Sequence, residues 1–376
     1  MFERPAGGDR ALVVALEVDG ERRSGRREEI AALAASAGAT VVGELGGRRA
    51  RPDPALFAGR GKVEEIAGRR RESAADLVIF DHALSGVQQR NLERALECRV
   101  VDRTSLILDI FAQRARSAEG KLQVELAQLS HMATRLVGGW THLERQKGGI
   151  GLRGPGETQL ETDRRLITHR VKLLRERLRR VATRRSTQNR ARQRADLRTI
   201  ALIGYTNAGK STLFNRLTGA RVYAADQLFA TLDTTLRRVH APGAQPLVLS
   251  DTVGFIHDLP HDLIAAFAAT LAEAGEADLL LHVIDASAPD RDLQVAAVQR
   301  LLTEIGAAGV PQIRVLNKCD LAGLEAGLER DGCGTICAVR VSAATGAGID
   351  LLRAALAERF PLDSNVHATS TTAPSG

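Results

Sequence analysis

The residues with the clearest chemical potential form the octapeptide Gly204–Ser211, which reads Gly-Tyr-Thr-Asn-Ala-Gly-Lys-Ser. Two glycines ahead of a Lys-Ser pair allow the backbone to wrap around a phosphate group. The Lys210 ammonium then serves the β- and γ-phosphate oxygens, and the Ser211 hydroxyl suits Mg²⁺. The pattern therefore predicts a nucleotide-phosphate loop, with a glycine-rich turn that happens to precede a lysine as the alternative.

The neighbouring elements favour the first interpretation. Thr199–Ile203 is a short apolar run typical of a buried strand, and 212–217 is typical of a helix. A strand, a loop and a helix in this order direct the backbone N–H groups of the helix N-terminus at an anion. We assign Lys210 the catalytic role and assign nucleotide contacts to Gly204, Tyr205, Thr206, Asn207, Ala208, Gly209, Lys210, Ser211 and Thr212.

Two more motifs follow predicted strands. Asp251-Thr252-Val253-Gly254 comes after an apolar run, where the Asp251 carboxylate can reach Mg²⁺ through water. Asn317-Lys318-Cys319-Asp320 comes after another. The Asp320 carboxylate can accept hydrogen bonds from guanine N1–H and the N2 amino group, which adenine does not match.

A further short motif completes the set. Val341-Ser342-Ala343 follows a strand-like run, and the segment Ser342, Ala343, Ala344 would place backbone amides near guanine O6. Each motif is weak by itself. Together and in this order, each at a strand end, they predict a GTP-binding domain.

Composition limits the class of protein. The chain has 376 residues, enough for two or three domains, and 44% hydrophobic residues. No apolar run reaches the length of a membrane span, and the first residues lack the apolar core of a signal peptide. Four cysteines do not support a disulfide framework, and the Cys333/Cys337 spacing lacks the second pair that zinc would need. We expect a monomeric cytoplasmic protein without stable membrane association.

Positive charge is concentrated in one segment. The net charge is +7, but Arg164–Arg198 contains 14 Lys and Arg against two acids, which leaves the rest of the chain at −5. Such a concentration is typical of polyanion binding.

Residues 11–117 alternate strand-like and helix-like runs, which predicts a parallel sheet covered by helices. No catalytic constellation stands out there. The basic stretches 46–54 and 59–62 fit either phosphate contacts or solvated turns.

Residues 118–197 have a different pattern. Two apolar stripes repeat with spacings of four and three, and they predict an antiparallel helical hairpin or, more simply, the buried faces of bundle helices. The first stripe is Leu122, Leu126, Leu129, Ala133 and Leu136, and the second is Ile167, Val171, Leu174, Leu178 and Val181. The connection 148–163 is predicted to be non-helical. Its Gly149–Gly154 matches a dinucleotide fingerprint only formally, because no strand precedes it; a loop that contacts a nucleic-acid backbone fits better.

The predicted fold class is α/β, with an N-terminal parallel-sheet domain (1–117), a helical arm (118–197) and a P-loop GTPase domain (198–361). Residues 362–376 are rich in Ser and Thr without periodicity, which predicts a disordered tail.

Several longer motifs resemble the HflX family of GTPases. The glycine-rich stretch 148–163 is similar to that family's linker, Phe229–Asp233 to its first switch and 251–256 to its second. Segments 101–109 and 120–131 are similar to its N-terminal region. The resemblance implies a projecting helical arm and binding to the large ribosomal subunit and its RNA, linked to splitting or rescue of stalled ribosomes under stress.

The resemblance also completes the expected site. It adds Phe229, Ala230, Thr231, Leu232 and Asp233 to the nucleotide contacts and makes Thr231, with Ser211, a ligand of Mg²⁺. By residue chemistry alone, Thr234 and Thr235 are rivals of Thr231. Two departures from the family are His257, where Arg is common, and a short C-terminal stretch where many members continue into a further domain.

Phe255 follows the Asp251–Gly254 motif where many GTPases have a water-positioning Gln. A phenyl ring can neither accept nor donate the required hydrogen bond. We therefore expect hydrolysis of GTP that is slow in the free protein and stimulated by the ribosome. Two other functions stay open: an ATP-driven RNA remodelling enzyme, and a GTP switch bound to other RNA or to a membrane.

Overall fold

A computed structural model describes residues 9–18, 25–138, 155–194, 197–220 and 228–362. The chain divides into two compact units. The first comprises Met1–Thr183, Ala225–Asp233 and Asp258–Ala268, and the second comprises Arg184–Ala224, Thr234–His257 and Ala269–Gly376. Residues 148–154, 223–227 and 363–376, which include the first seven residues of the glycine-rich stretch 148–163 and all but the first residue of the predicted tail, lie outside the described residues.

The first unit is built on a four-stranded sheet in the order β2-β1-β3-β4, with all neighbours parallel. The strands are β1 Arg10–Val18, β2 Thr40–Arg49, β3 Leu77–Phe80 and β4 Arg99–Asp102. The helices are α1 Arg26–Ser36, α2 Arg60–Ser73, α3 Gly86–Leu96, α4 Arg103–Arg114, α5 Ala118–Gly138 and α6 Pro155–Arg194. The parallel sheet confirms the predicted class. Strands β1, β3 and β4 are mostly buried because helices cover the sheet, whereas the edge strand β2 is exposed or half-buried.

A buried ion-pair network closes the carboxyl edge of this sheet. Asp81 follows β3 with no exposed surface, and its carboxylate accepts a hydrogen bond from Arg103 at 2.6 Å and another from Arg26. Arg103 also pairs with Glu29. Buried charges of both signs with hydrogen bonds to each other make this a structural network.

The long helices α5 and α6 carry the two predicted stripes. Leu126 is 7% exposed and Leu174 is fully buried, and Arg170 of α6 pairs with Glu125 of α5 at 2.6 Å. The prediction that 148–163 is non-helical is wrong for 155–163, because α6 begins at Pro155. Proline is suited to the first helical position, where its missing N–H leaves no hydrogen bond unmade.

The second unit contains a seven-stranded sheet in the order β10-β11-β9-β8-β5-β7-β6. Only the edge pairs β10–β11 and β6–β7 are antiparallel. The strands are β5 Arg198–Gly204, β6 Thr235–Val239, β7 Leu247–Asp251, β8 Leu279–Asp285, β9 Gln312–Asn317, β10 Gly327–Arg330 and β11 Ile336–Arg340. The five parallel strands bring their carboxyl ends to one edge, where ligands of open α/β sheets bind.

Five further helices follow α6: α7 Lys210–Thr218, α8 His261–Ala266, α9 Ala268–Gly275, α10 Arg291–Glu304 and α11 Ile349–Arg359. One hydrophobic cluster of the second unit has aliphatic buried members apart from Phe214, with Leu202, Leu281 and Val315 fully buried. No helix among the described residues is long and apolar enough to cross a membrane.

Candidate nucleotide-binding site

The octapeptide Gly204–Ser211 connects β5 to α7, as its pattern predicts. Gly204 has φ 148°, and a Cβ there would lie 2.2 Å from the Val283 carbonyl oxygen, so the loop requires glycine at this position. Gly209 has φ 89° and precedes the first residue of α7. The exposed backbone N–H groups of that helix start are those that hold phosphate in loops of this kind.

The Lys210 side chain is buried and bonds to the backbone of the phosphate loop Gly204–Ser211. Its Nζ donates to the carbonyl oxygens of Gly204 at 3.0 Å and Tyr205 at 2.7 Å. Burial lowers the pKa of Lys210 to about 8, and the Asp251 carboxylate offsets part of this effect. A bound phosphate would favour the charged ammonium, so this lysine is poised to bind an anion.

Two of the oxygen groups expected near a divalent cation, those of Ser211 and Asp251, lie together. Ser211, the second residue of α7, donates from Oγ to Asp251 Oδ2 at 2.8 Å, and Asp251 ends β7 with no exposed surface. A hydroxyl beside a carboxylate at the phosphate loop is a hard-oxygen donor set that fits Mg²⁺. Thr252, the next residue, bonds through Oγ1 to the Leu202 carbonyl oxygen at 2.6 Å, which fixes the end of β7 against β5.

The segment after Asp251 lies directly against the phosphate loop. Thr206 N donates to Phe255 O at 2.7 Å, and Phe255 N donates to Gly204 O at 3.1 Å. A Cβ on Gly254 would lie 2.8 Å from Thr206 Cγ2 and 3.1 Å from Lys210 Nζ. Val253 and Phe255 are buried, so the phenyl ring belongs to the packing of this segment.

Tyr205 connects the loop to His257. The Tyr205 hydroxyl accepts a hydrogen bond from the His257 backbone N at 2.9 Å, and the two rings lie 5.2 Å apart.

The expected base-recognition motif is held by Asn317, the last residue of β9. Its Nδ2 donates to Ala208 O at 2.8 Å, and its Oδ1 accepts from Ala343 N at 2.9 Å. One buried amide thereby joins the phosphate loop to the Ser342–Ala344 segment. Its neighbour Gly209 must be glycine, because a Cβ there would lie 2.2 Å from Asn317 Nδ2.

The rest of this motif divides into buried and exposed residues. Lys318, with φ 62°, pairs through Nζ with Asp285 Oδ2 at 2.6 Å, and Cys319 is 2% exposed. Asp320 is exposed, as a carboxylate that receives a purine must be. Burial raises the pKa of the Asp285 carboxyl. The hydrogen bonds from Lys318 and Ser287 and the charge of Lys318 outweigh that effect, so the pKa lies below its usual value.

The Ser342–Ala344 segment follows β11. Ser342 is fully buried and its Oγ accepts from Thr345 N at 3.1 Å, while Ala344 is exposed. Arg216 of α7 donates from Nε to the Ala343 carbonyl oxygen at 3.0 Å. The structure therefore brings together the predicted residues 204–212, 251–254, 317–320 and 342–344 at one edge of one sheet.

The segment Phe229–Asp233 belongs to the first unit. The Phe229 and Phe111 rings meet edge to face at 4.7 Å, and Leu228 N donates to Ser36 Oγ at 3.1 Å. Phe229 and Leu232 are buried, whereas Ala230 and Thr231 are partly exposed. Their contact with nucleotide, and that of Thr231 with metal, stays a prediction.

Asp233 has a role that the sequence did not indicate. Its Oδ2 accepts from the backbone N of Arg116 at 2.9 Å and of Ser117 at 2.8 Å, just before α5 begins, and Ser117 Oγ bonds to its Oδ1. A Cβ on Gly120 would lie 2.3 Å from that same oxygen. The partners are more than 110 residues apart, so no local pattern could have revealed the contact.

Comparisons with known proteins agree with this geometry. A model described as GTP-binding GTPase N-terminal matches residues 25–112, one described as GTP-binding GTPase Middle Region matches 114–192, and one described as 50S ribosome-binding GTPase matches 199–318. The fold and the site define a P-loop GTPase, which binds and hydrolyses GTP.

Relatives then specify the family. A GTPase HflX of Escherichia coli is 55% identical over 361 residues, covering 96% of this chain and 85% of the relative. A GTPase HflX of Caldanaerobacter subterraneus is 46% identical, covering 95% and 82%. The chain belongs to the HflX family of GTPases.

A solved structure supports the fold. The GTP-binding protein SsGBP, solved in complex with GDP, is 24% identical over 93% of this chain and 98% of its own, with a TM-score of 0.51.

Proposed function

We propose that this GTPase acts on the large ribosomal subunit through its RNA, and that it splits or rescues stalled ribosomes under stress. The observation that carries the proposal is the exposed basic surface of α6. All nine Lys and Arg between residues 164 and 184 are exposed: Arg164, Arg165, Arg170, Lys172, Arg175, Arg177, Arg179, Arg180 and Arg184. A row of exposed cations on a rigid helix suits a phosphate backbone, which displays negative charge at regular intervals.

Burial along α6 supports this reading. The cations of this stretch are exposed, whereas the apolar stripe formed by Ile167, Val171, Leu174, Leu178 and Val181 is buried or half-buried. Only Arg170 and Arg180 have an ion pair among the pairs found in the described residues of this stretch. The remaining charge is available to an external polyanion. The matching GTPase model carries a 50S ribosome-binding description, which points to the same partner.

The proposal includes Mg²⁺ held by Ser211 and Thr231, with Asp251 acting through water. The metal would neutralise charge on the β- and γ-phosphate oxygens. Lys210 would hold the same oxygens, and Asp320 would select guanine. Thr231 would then order its segment only when a γ-phosphate is present, which makes the conformation of 229–233 sensitive to the nucleotide.

Sedimentation with purified subunits tests the proposal. The protein is incubated with large or small subunits, with GDP or a non-hydrolysable GTP analogue, and pelleted. We expect co-sedimentation with large subunits that is stronger with the GTP analogue. If the protein binds neither subunit but binds unrelated RNA or vesicles instead, the result would favour the non-ribosomal switch. RNA unwinding that requires ATP would favour the remodelling enzyme.

A further inference from the structure

The Thr206 hydroxyl is the one buried hydroxyl of the phosphate loop and its neighbouring motifs for which the described residues supply no partner. Thr206 is 6% exposed, and its Oγ1 has no hydrogen-bond partner in the described part of the chain. Other buried hydroxyls nearby are satisfied: Tyr205 by His257 N, Thr252 by Leu202 O and Ser342 by Thr345 N. A buried polar group without a partner costs free energy, so its retention calls for an explanation.

Its position points to the γ-phosphate. A Cβ on Gly254 would lie within 2.8 Å of Thr206 Cγ2 and 3.1 Å of Lys210 Nζ, so Thr206, Gly254 and the ammonium meet at one point. Because such a lysine binds the β- and γ-phosphates, a γ-phosphate held by Lys210 would come within reach of the Thr206 side chain. The Thr206 hydroxyl is attached to the same Cβ as the methyl group Cγ2, which lies beside Gly254.

Hydrolysis also lacks a group that Thr206 could supply. A water oxygen must attack the γ-phosphorus while the bond to the β-γ bridging oxygen breaks, which gives GDP and phosphate, and the water proton passes to a phosphate oxygen. Something must orient that water, and the buried Phe255 ring cannot. A hydroxyl can accept one hydrogen bond and donate another at the same time.

We infer that Thr206 is a water-positioning residue for GTP hydrolysis: its Oγ1 accepts a hydrogen bond from the attacking water and donates its own proton to a γ-phosphate oxygen. The threonine stays neutral throughout, and no further reactant is needed. The inference rests on GTP hydrolysis alone and not on ribosome binding.

Three substitutions in the 376-residue chain test it, without ribosomes. Thr206→Val keeps the shape and removes the hydroxyl, Thr206→Ser keeps the hydroxyl, and Thr206→Ala removes both methyl and hydroxyl. Thr303→Val, an exposed threonine on α10, is the matched control. Single-turnover rates are measured beside the affinities for GDP and a non-hydrolysable GTP analogue, with thermal unfolding as a check of folding.

We expect Thr206→Val and Thr206→Ala to slow hydrolysis by about 10²-fold, with both affinities changed by no more than about threefold. Thr206→Ser should retain a rate within about threefold of the natural protein, and the control should be unchanged. A wild-type rate in Thr206→Val, or a Thr206→Ser rate as low as that of Thr206→Ala, would overturn the inference. Loss of GTP-analogue affinity equal to the loss in rate would overturn it as well, because the hydroxyl would then act in ground-state binding.

Discussion

Among single residues, Asp320 is the one that we predict to select guanine. An exposed carboxylate can accept two hydrogen bonds from guanine, each strengthened by its charge. Replacing Asp320 with Asn should weaken GTP binding by about 10²-fold or more, because the amide NH₂ faces guanine donors. The same amide can donate to the extra carbonyl of xanthine, so xanthosine triphosphate should gain affinity.

Competition between the two nucleotides, followed with a fluorescent GDP analogue, measures the change. Asp350→Asn removes an equally negative but 96% exposed side chain outside the site and serves as the control. Unchanged GTP affinity in Asp320→Asn would show that 317–320 does not bind the base.

Lys210 should make nucleotide affinity depend on pH. Since burial lowers the pKa of Lys210 to about 8 in the free protein, and bound phosphate favours the charged form, binding is accompanied by proton uptake above that pH. Affinity for GDP should be level below about pH 8 and fall by up to about tenfold per unit above it.

Calorimetric titration between pH 7 and 9 checks this dependence. Lys210→Arg is the matched variant, because guanidinium stays charged over the whole range. It should bind GDP more weakly, yet with little change across these pH values. An affinity of the natural protein that is constant from pH 7 to 9 would contradict the low pKa.

At the scale of elements, the Asp233 carboxylate stabilises the start of α5. It holds the backbone N–H groups of Arg116 and Ser117, and Ser117 Oγ in turn accepts from Gly120 N at 2.8 Å. Asp233→Ala should lower the free energy of unfolding by about 1 to 2 kcal/mol, the usual effect of losing a cap, whereas Asp233→Asn should cost less.

Urea unfolding followed by circular dichroism measures the difference. Asp292→Ala removes a 96% exposed acid from the first turn of α10 and is the control. Equal stability of Asp233→Ala and the natural protein would show that this contact contributes nothing.

Strand β8 contains a histidine that stays neutral. His282 is 1% exposed, and burial, with Lys210 and Arg314 nearby, lowers its pKa to about 4. The unfolded chain takes up a proton near pH 6.5 while the folded one does not, so stability falls as pH decreases from about 6.5 towards 4, by at most about 3 kcal/mol. His282→Leu should reduce the loss of melting temperature between pH 7 and 5, and the exposed His240→Leu should not. Identical acid sensitivity in all three proteins would contradict this account.

Elements with a clear apolar pattern followed their sequence closely. The sequence predicts a helix over Arg26–Ser36 and a strand over Leu247–Asp251. The structure has both elements with these bounds, since a short apolar run or a periodic face ends where polar residues begin. Strand β10 was missed because Gly327–Arg330 is short, lies at the sheet edge and contains a single large apolar residue. The sequence predicts one helix over roughly Leu263–Ala274, but the structure divides it at Phe267, whose ring packs against Phe111. Long-range packing of this kind leaves no local signal.

Some residues of the candidate site can be predicted from the sequence, and others only from the structure. Gly204, Gly209, Lys210 and Ser211 follow from motif chemistry, because phosphate binding needs those residue types at that spacing. The amide bridge made by Asn317 and the helix contact made by Asp233 depend on residues that lie far apart in the chain, so only the structure reveals them.

At the scale of the whole molecule, the charge of α6 should control affinity for ribosomal RNA. Replacing Arg175, Arg177, Arg179 and Arg184 with Gln should weaken binding to large subunits and flatten its dependence on salt, with GTP binding intact. If the unsubstituted protein neutralises even six phosphates, its affinity for the large subunit should fall roughly 10³-fold between low and moderate salt.

The matched control removes four exposed arginines of the second unit, Arg237, Arg238, Arg291 and Arg300, with the same change in net charge. Sedimentation with large subunits is measured at about 50 and about 200 mM salt for the unsubstituted protein, the α6 variant and the control variant. The roughly 10³-fold loss of affinity is expected over this range. Equal salt dependence in both variants would assign the effect to net charge and not to α6.

A GTPase without a water-positioning Gln should be stimulated by the large ribosomal subunit. Single-turnover GTP hydrolysis, with and without saturating purified large subunits, tests it most directly. The free protein should hydrolyse GTP at about 10⁻⁴ to 10⁻² s⁻¹, the range of unassisted GTPases, and large subunits should raise the rate well above it, while small subunits should not. Fast hydrolysis by the free protein, or a rate that large subunits leave unchanged, would contradict the claim.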